Sequence, residues 1–181
     1  MARLLVNFLA VGPTVTGSFP IALSGNAGGP LVVAAGLGGM SVSSSWPGSD
    51  IVMSLVSPSG RVINRSTVDP LISHSVGPTF EVYNITLPEP GTWTVNFFGA
   101  NVAPGGETVS YRVNLIPRAP GDADGDGVAT CADLSLVKAS FGKRKGQPGF
   151  DPRADLNSDG VVDIRDLSAV AQNILTGITC Q

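Results

Sequence analysis

Hydrophobic and polar positions alternate at period two through most of the chain before residue 118, and turn residues close each run, as half-buried strands require. Ile51, Met53 and Leu55 alternate with Val52, Ser54 and Val56; Ser57-Pro58-Ser59-Gly60 then makes a turn, with proline second and glycine fourth, into Arg61, Val62 and Ile63. Tyr83, Ile85 and Leu87 share one face, Pro88-Glu89-Pro90-Gly91 reverses the chain, and Trp93, Val95 and Phe97 share the next. Tyr111, Val113 and Leu115 form a last strand before Pro117. With further strands around residues 4–11, 18–23, 31–35 and 40–46, the spacing predicts an antiparallel β-sandwich, Ig-like or jelly-roll-like, of eight or nine strands over residues 1–118.

The pattern then changes. Asp133 opens a segment with Leu134, Val137 and Phe141 ended by Gly142, and Asp166 opens one with Leu167, Val170 and Ile174 ended by Gly177. These spacings predict two short amphipathic helices. The fold class is therefore mainly β with a small α domain, residues 119–181.

Composition agrees: 23 Gly and 14 Pro among 181 residues break the chain too often for a mostly helical protein. The longest apolar runs are far short of the roughly 18 to 20 residues that a membrane span needs, so membrane insertion is not expected. Arg3 followed by LLVNFLAV has the outline of a secretory signal, but the run contains Asn7 and leads into Gly12-Pro13. A first β-strand is the other reading, in what could be the C-terminal portion of a longer secreted polypeptide.

Net charge is -3, which supplies no basic field for nucleic acid or an anionic bilayer. The distribution says more than the sum. Residues 1–119 balance five acids against five arginines, whereas residues 120–181 carry nine Asp, no Glu and six Lys or Arg.

That acid is patterned. DADGDGVATCAD runs from Asp122, and 33 residues later DLNSDGVVDIRD runs from Asp155. Both place oxygen-bearing side chains at positions 1, 3, 5, 9 and 12 and glycine at 6, the calcium-loop pattern. A hard cation takes six to eight oxygens, and one loop supplies them only if it reverses sharply, which Gly127 and Gly160 permit. The first ligand set is Asp122, Asp124, Asp126, the Val128 carbonyl, Thr130 through a water, and Asp133. The second is Asp155, Asn157, Asp159, the Val161 carbonyl, Asp163 and Asp166. Two Ca2+ ions are expected. Position 12 is Asp in both loops, and prolines 117, 120, 148 and 152 bar a helix from entering either.

Two resemblances follow. WPGSDIVMSLVSPSGRVI and YNITLPEPGTWTVNFFG, within residues 17–116, resemble the β-sandwich modules appended to secreted bacterial and archaeal proteases and to von Willebrand factor A-type surface proteins. The resemblance implies an accessory module without a catalytic site. The paired D-x-D/N-x-D-G loops, each running into an apolar helix, resemble the type I dockerin module. That implies a cohesin-domain partner and a secreted or cell-surface location linked to polysaccharide breakdown. By the family's contact positions, the cohesin would meet Cys131, Ala132, Lys138 and Ala139 in the first repeat and Ile164, Arg165, Ala171 and Gln172 in the second. These pairs do not repeat one another, which argues against a two-fold dual binding mode. The insert KRKGQPGFDPRA resembles non-cellulosomal dockerins, and Lys143-Arg144-Lys145 reads as a solvated helix end.

In such a two-fold module the chain end returns toward the first loop, so Cys131 and Cys180 are candidates for a disulfide; two free thiols are the alternative. The expected small core is Leu134, Val137, Phe141, Phe150, Val162, Leu167, Val170 and Ile174. Trp93 reads as sandwich core and Trp46 as structural. His74, the single histidine, lies in a polar segment between strands with no nucleophile elbow or paired acids nearby, so no catalytic site is expected. The chain reads as a monomeric, non-catalytic interaction module or, alternatively, a calcium-locked structural terminus without a cohesin.

Overall fold

The computed structural model describes residues 4–5 (backbone), 14–174 and 179–180. The chain divides after Ile116 into two compact units, with the short segment Ala35–Gly38 grouped with the second. Most of the predicted N-terminal strand or signal run, and the Gly177 stop, lie outside the described residues.

Among the described residues ten strands form the first unit: β1 (Leu4–Leu5), β2 (Thr14–Ile21), β3 (Asn26–Val33), β4 (Leu37–Ser45), β5 (Asp50–Val56), β6 (Val62–Ile63), β7 (Ile72–Gly77), β8 (Phe80–Thr86), β9 (Gly91–Asn101) and β10 (Glu107–Pro117). They make two five-stranded sheets, in the orders β1-β3-β9-β5-β6 and β2-β10-β4-β8-β7. Alternation places the side chains as the pattern requires: Ile51, Met53 and Leu55 from one sheet and Tyr83 and Ile85 from the other are buried, with Trp93, Val95 and Phe97. The sheets meet through pairs such as Phe19 and Phe97, whose ring centroids lie 4.9 Å apart. Trp46 and Trp93 are both buried, their indole N–H groups donating to the Ser49 and Glu89 carbonyls.

Three sequence expectations change. His74 lies inside β7, not between strands; that strand is exposed, shows no alternation, and is held by backbone pairing with β8, His74 opposite Tyr83. Leu87 leaves the face it was to share, since β8 ends at Thr86 and Leu87 takes a φ of 50°. The sheets are antiparallel except for β1, which pairs parallel to β3. The chain passes from β1 through β2 of the other sheet before returning as β3, the crossover that a parallel pairing demands.

One polar cluster sits inside the apolar layer. β6 pairs with β5 only at Leu55 and Val56, so among the described residues no strand covers the backbone of Ile51 and Met53 on that edge. Side chains do so instead. Glu81, 0% exposed, accepts the Met53 N–H at 3.1 Å; the Tyr83 hydroxyl donates to the Met53 carbonyl at 3.2 Å; Arg65 donates to the Ile51 carbonyl at 3.0 Å and to Glu81. The buried polar atoms of Glu81 and Tyr83 thereby find partners, as burial requires, while the Arg65 side chain is partly exposed.

The second unit has helices α1 (Cys131–Ser140) and α2 (Ile164–Asn173). Val137, Val162 and Val170 are fully buried with Ala123 and Ala154, and Leu134, Phe150, Leu167 and Ile174 pack against them. Phe141 is the exception among the expected core residues, at 47% exposed. α1 stops at Ser140 and Phe141 turns out to φ -58°, ψ 136°, losing the helical phase that would have stacked it on Leu134. No helix enters either acidic loop.

Candidate metal centre

The two acidic loops share one internal wiring. At position 1, Asp122 accepts the position-6 N–H of Gly127 at 3.1 Å, and Asp155 accepts that of Gly160 at 2.9 Å. At position 3, Asp124 accepts the Asp126 N–H and Asn157 that of Asp159. At position 5, Asp126 accepts the Val128 N–H and Asp159 that of Val161, both at 2.9 Å. At position 12, Asp133 accepts the N–H groups of Ala123, Asp124 and Thr130, and Asp166 those of Leu156, Asn157 and Asp163. Gly127 and Gly160 make the reversal at φ 99° and 86°, where a side chain would be strained.

Helix initiation is built into the same residues. Thr130 caps α1 and Asp163 caps α2, and in each a reciprocal capping box joins the cap to the position-12 carboxylate. Position 9, assigned as a ligand or a water-mediated ligand, is thus engaged by the helix start. The Thr-x-x-Asp and Asp-x-x-Asp spacings carry that signal in sequence. Closing the loop and starting the helix are one event.

Asp122, Asp124 and Asp126 bring one carboxylate oxygen each within 4.8 Å of one another. Burial raises the Asp124 carboxyl, with Asp133, Asp126 and Asp122 pushing the same way. Burial also raises Asp155, with Asp166 and Asp159 adding to it. Burial would raise Asp133 too, but the N–H groups of Asp124, Thr130 and Ala123 outweigh it and hold the group below the usual carboxylate range. A crowded all-oxygen set without nitrogen or sulfur suits a hard divalent cation such as calcium.

The other predicted positions fall as follows. Ala132, Lys138, Ala139, Ile164, Arg165, Ala171 and Gln172 are exposed, Ile164 at 64%. Arg165 pairs with Asp159 at 3.0 Å. Cys131 is bonded to Cys180, with Cα atoms 5.4 Å apart. Lys143-Arg144-Lys145 is exposed but is more than a solvated helix end: Val162 donates to the Lys143 carbonyl at 2.9 Å and Lys145 to the Gly160 carbonyl at 2.9 Å, so its backbone braces the second loop. Arg118, which sequence reasoning missed, donates to the carbonyls of Asp122, Ala123 and Arg153. Among the described residues no helix is long and apolar enough to cross a membrane.

Solved structures similar to this chain include a Bacillus licheniformis lipase, BlEst2, in propeptide form, at 15% identity and TM-score 0.46 over 65% of this chain; the match spans 24% of the lipase. A periplasmic inhibitor of g-type lysozyme, PliG of Aeromonas hydrophila, matches at 17% identity and TM-score 0.36, over 62% of this chain and 95% of that one. The pre-peptidase C-terminal domain of a Bacillus anthracis collagenase matches at 16% identity and TM-score 0.33, over 62% of this chain and 91% of that one. No curated protein matches this sequence. The doubled loop-and-helix unit is where a family model fits: residues 120–175 match the dockerin type I domain.

Proposed function

We propose that this protein is a non-catalytic, calcium-dependent interaction module of a secreted or cell-surface assembly, in which residues 119–181 dock onto a cohesin-type partner. The assembly serves polysaccharide breakdown, and the chain acts as a monomer beside its partner. The observation that carries this reading is the hydrogen-bond wiring repeated in the two acidic loops, in a segment that matches the dockerin type I domain.

Calcium would supply the charge that offsets the crowded carboxylates. Asp122, Asp124, Asp126, the Val128 carbonyl and Asp133 would hold the first ion, with Thr130 reaching it through water. Asp155, Asn157, Asp159, the Val161 carbonyl, Asp163 and Asp166 would hold the second. The chain's own contribution is to make loop closure and helix capping the same contacts, so an ordered loop presents an ordered helix. The exposed docking positions Ala132, Lys138, Ala139, Ile164, Arg165, Ala171 and Gln172 lie on those helices. The Cys131–Cys180 bond suits an oxidising compartment.

Calorimetric titration with calcium, followed by capture on a cohesin panel with and without chelator, tests this. Two ions per chain and calcium-dependent capture are expected; a chain that takes up no calcium overturns it. Calcium uptake without capture selects a second reading, a calcium-locked structural terminus of a secreted protease or surface protein. That reading is favoured by Cys131, a docking position already committed to a covalent bond.

A further inference from the structure

Arg118 precedes the first acidic loop and carries no motif of its own. Its guanidinium donates through Nε to the Asp122 carbonyl and through Nη2 to the carbonyls of Ala123 and, at 2.7 Å, Arg153. Asp122 and Ala123 are positions 1 and 2 of the first loop, and Arg153 lies two residues before Asp155, which opens the second. One planar fork therefore grips the start of one loop and the approach to the other, 35 residues away from Arg118 in the chain.

We infer that Arg118 is a positioning residue that registers the first loop and couples its cation site to the second; this rests on the calcium reading above. Two effects oppose each other. The guanidinium lies near Asp122, Asp133 and Asp124, and its charge disfavours a second cation there. Its hydrogen bonds, in contrast, hold the Asp122 and Ala123 backbone in the conformation that aims the position-1 carboxylate. All three of its hydrogen bonds are to carbonyls, which accept from it without neutralising it. The group is thus committed to backbone carbonyls, and on this inference positioning outweighs charge, which the two variants below separate. Because the grip spans both loops, the ion that orders one loop orders part of the other, and the second ion meets less disorder.

The test is calcium calorimetry on the full chain as wild type, Arg118→Lys and Arg118→Met. Lysine keeps the charge and loses the fork; methionine keeps the bulk and loses both. Wild type should bind two ions with positive coupling. Both variants should lose first-loop affinity by about tenfold or more, the scale of hydrogen bonds to a charged group, and the two steps should become independent. If Arg118→Met binds as tightly as wild type or tighter while Arg118→Lys is unchanged, Arg118 is merely an opposing charge and the inference falls. Unchanged coupling in both variants overturns it equally. Circular dichroism in saturating calcium checks folding, and should the methionine variant not fold, Arg118→Lys alone decides. Absence of calcium uptake by wild type is a separate result, which removes the calcium reading itself.

Discussion

Asp133 reaches back ten residues to accept the Ala123 N–H at 2.6 Å, closing the first acidic loop onto the residue that follows its first carboxylate. The same fully buried side chain accepts from Asp124 and from both the N–H and hydroxyl of Thr130. Asp133→Ala would strip all these donors of their acceptor and remove the capping box. A loss of about 3 kcal/mol is expected, measured by urea unfolding at the helical dichroism signal. Because the carboxyl is held below its ordinary value, its stabilisation is present above the usual aspartate range and is lost as pH falls through the lowered value.

Calcium removal should act on the second unit and spare the first. Excess EDTA should remove most of the signal from α1 and α2, because clustered carboxylates repel and the apolar core of that unit is small. The β-sandwich signal should persist. Far-UV circular dichroism before and after chelation checks this, and unchanged helicity would contradict it.

The Cys131–Cys180 bond joins residues 49 apart, from position 10 of the first loop to the chain beyond α2, and the segment it closes holds the whole second loop. On the chain-entropy estimate it stabilises by about 4 kcal/mol. Cys131→Ser together with Cys180→Ser should lower the unfolding free energy of the second unit by that amount, read from the midpoint and slope of urea unfolding. Thiol titration under denaturing, non-reducing conditions should find no reactive thiol in the native chain.

Glu81 is the buried acid of the sandwich, and burial raises its pKa despite the Arg65 guanidinium beside it. With the folded value above the unfolded one, its contribution is complete below the ordinary glutamate range and is lost as pH rises through the folded value. Glu81→Gln should therefore flatten the dependence of the sandwich Tm on pH just above that range. Glu81→Ala should cost about 3 kcal/mol, since it leaves the Met53 N–H without its acceptor and Arg65 without its main partner. Calorimetric melting across a pH series reads both.

Apart from the Cys131–Cys180 pairing, what could be read from the amino acids alone was what lies within a dozen consecutive residues. The acidic loop pattern, the glycine reversal and the helix-opening caps are local, because position 12 must reach positions 2 and 3 of its own loop. The alternation that buries Ile51, Met53 and Leu55 is local too, since strand geometry alone sends successive side chains to opposite faces. Tertiary structure decided the rest. β7 has no alternation and exists through its pairing with β8. Alternation puts Glu81 in phase with Tyr83 and Ile85, but why an acid belongs there emerges only when the short reach of β6 leaves the Met53 N–H in need of an acceptor. Phe141 fits a core pattern until its helix ends one residue earlier. Arg118 has no pattern whatever, because its partners are backbone carbonyls up to 35 residues away, and carbonyls are alike in every residue until the fold brings particular ones together.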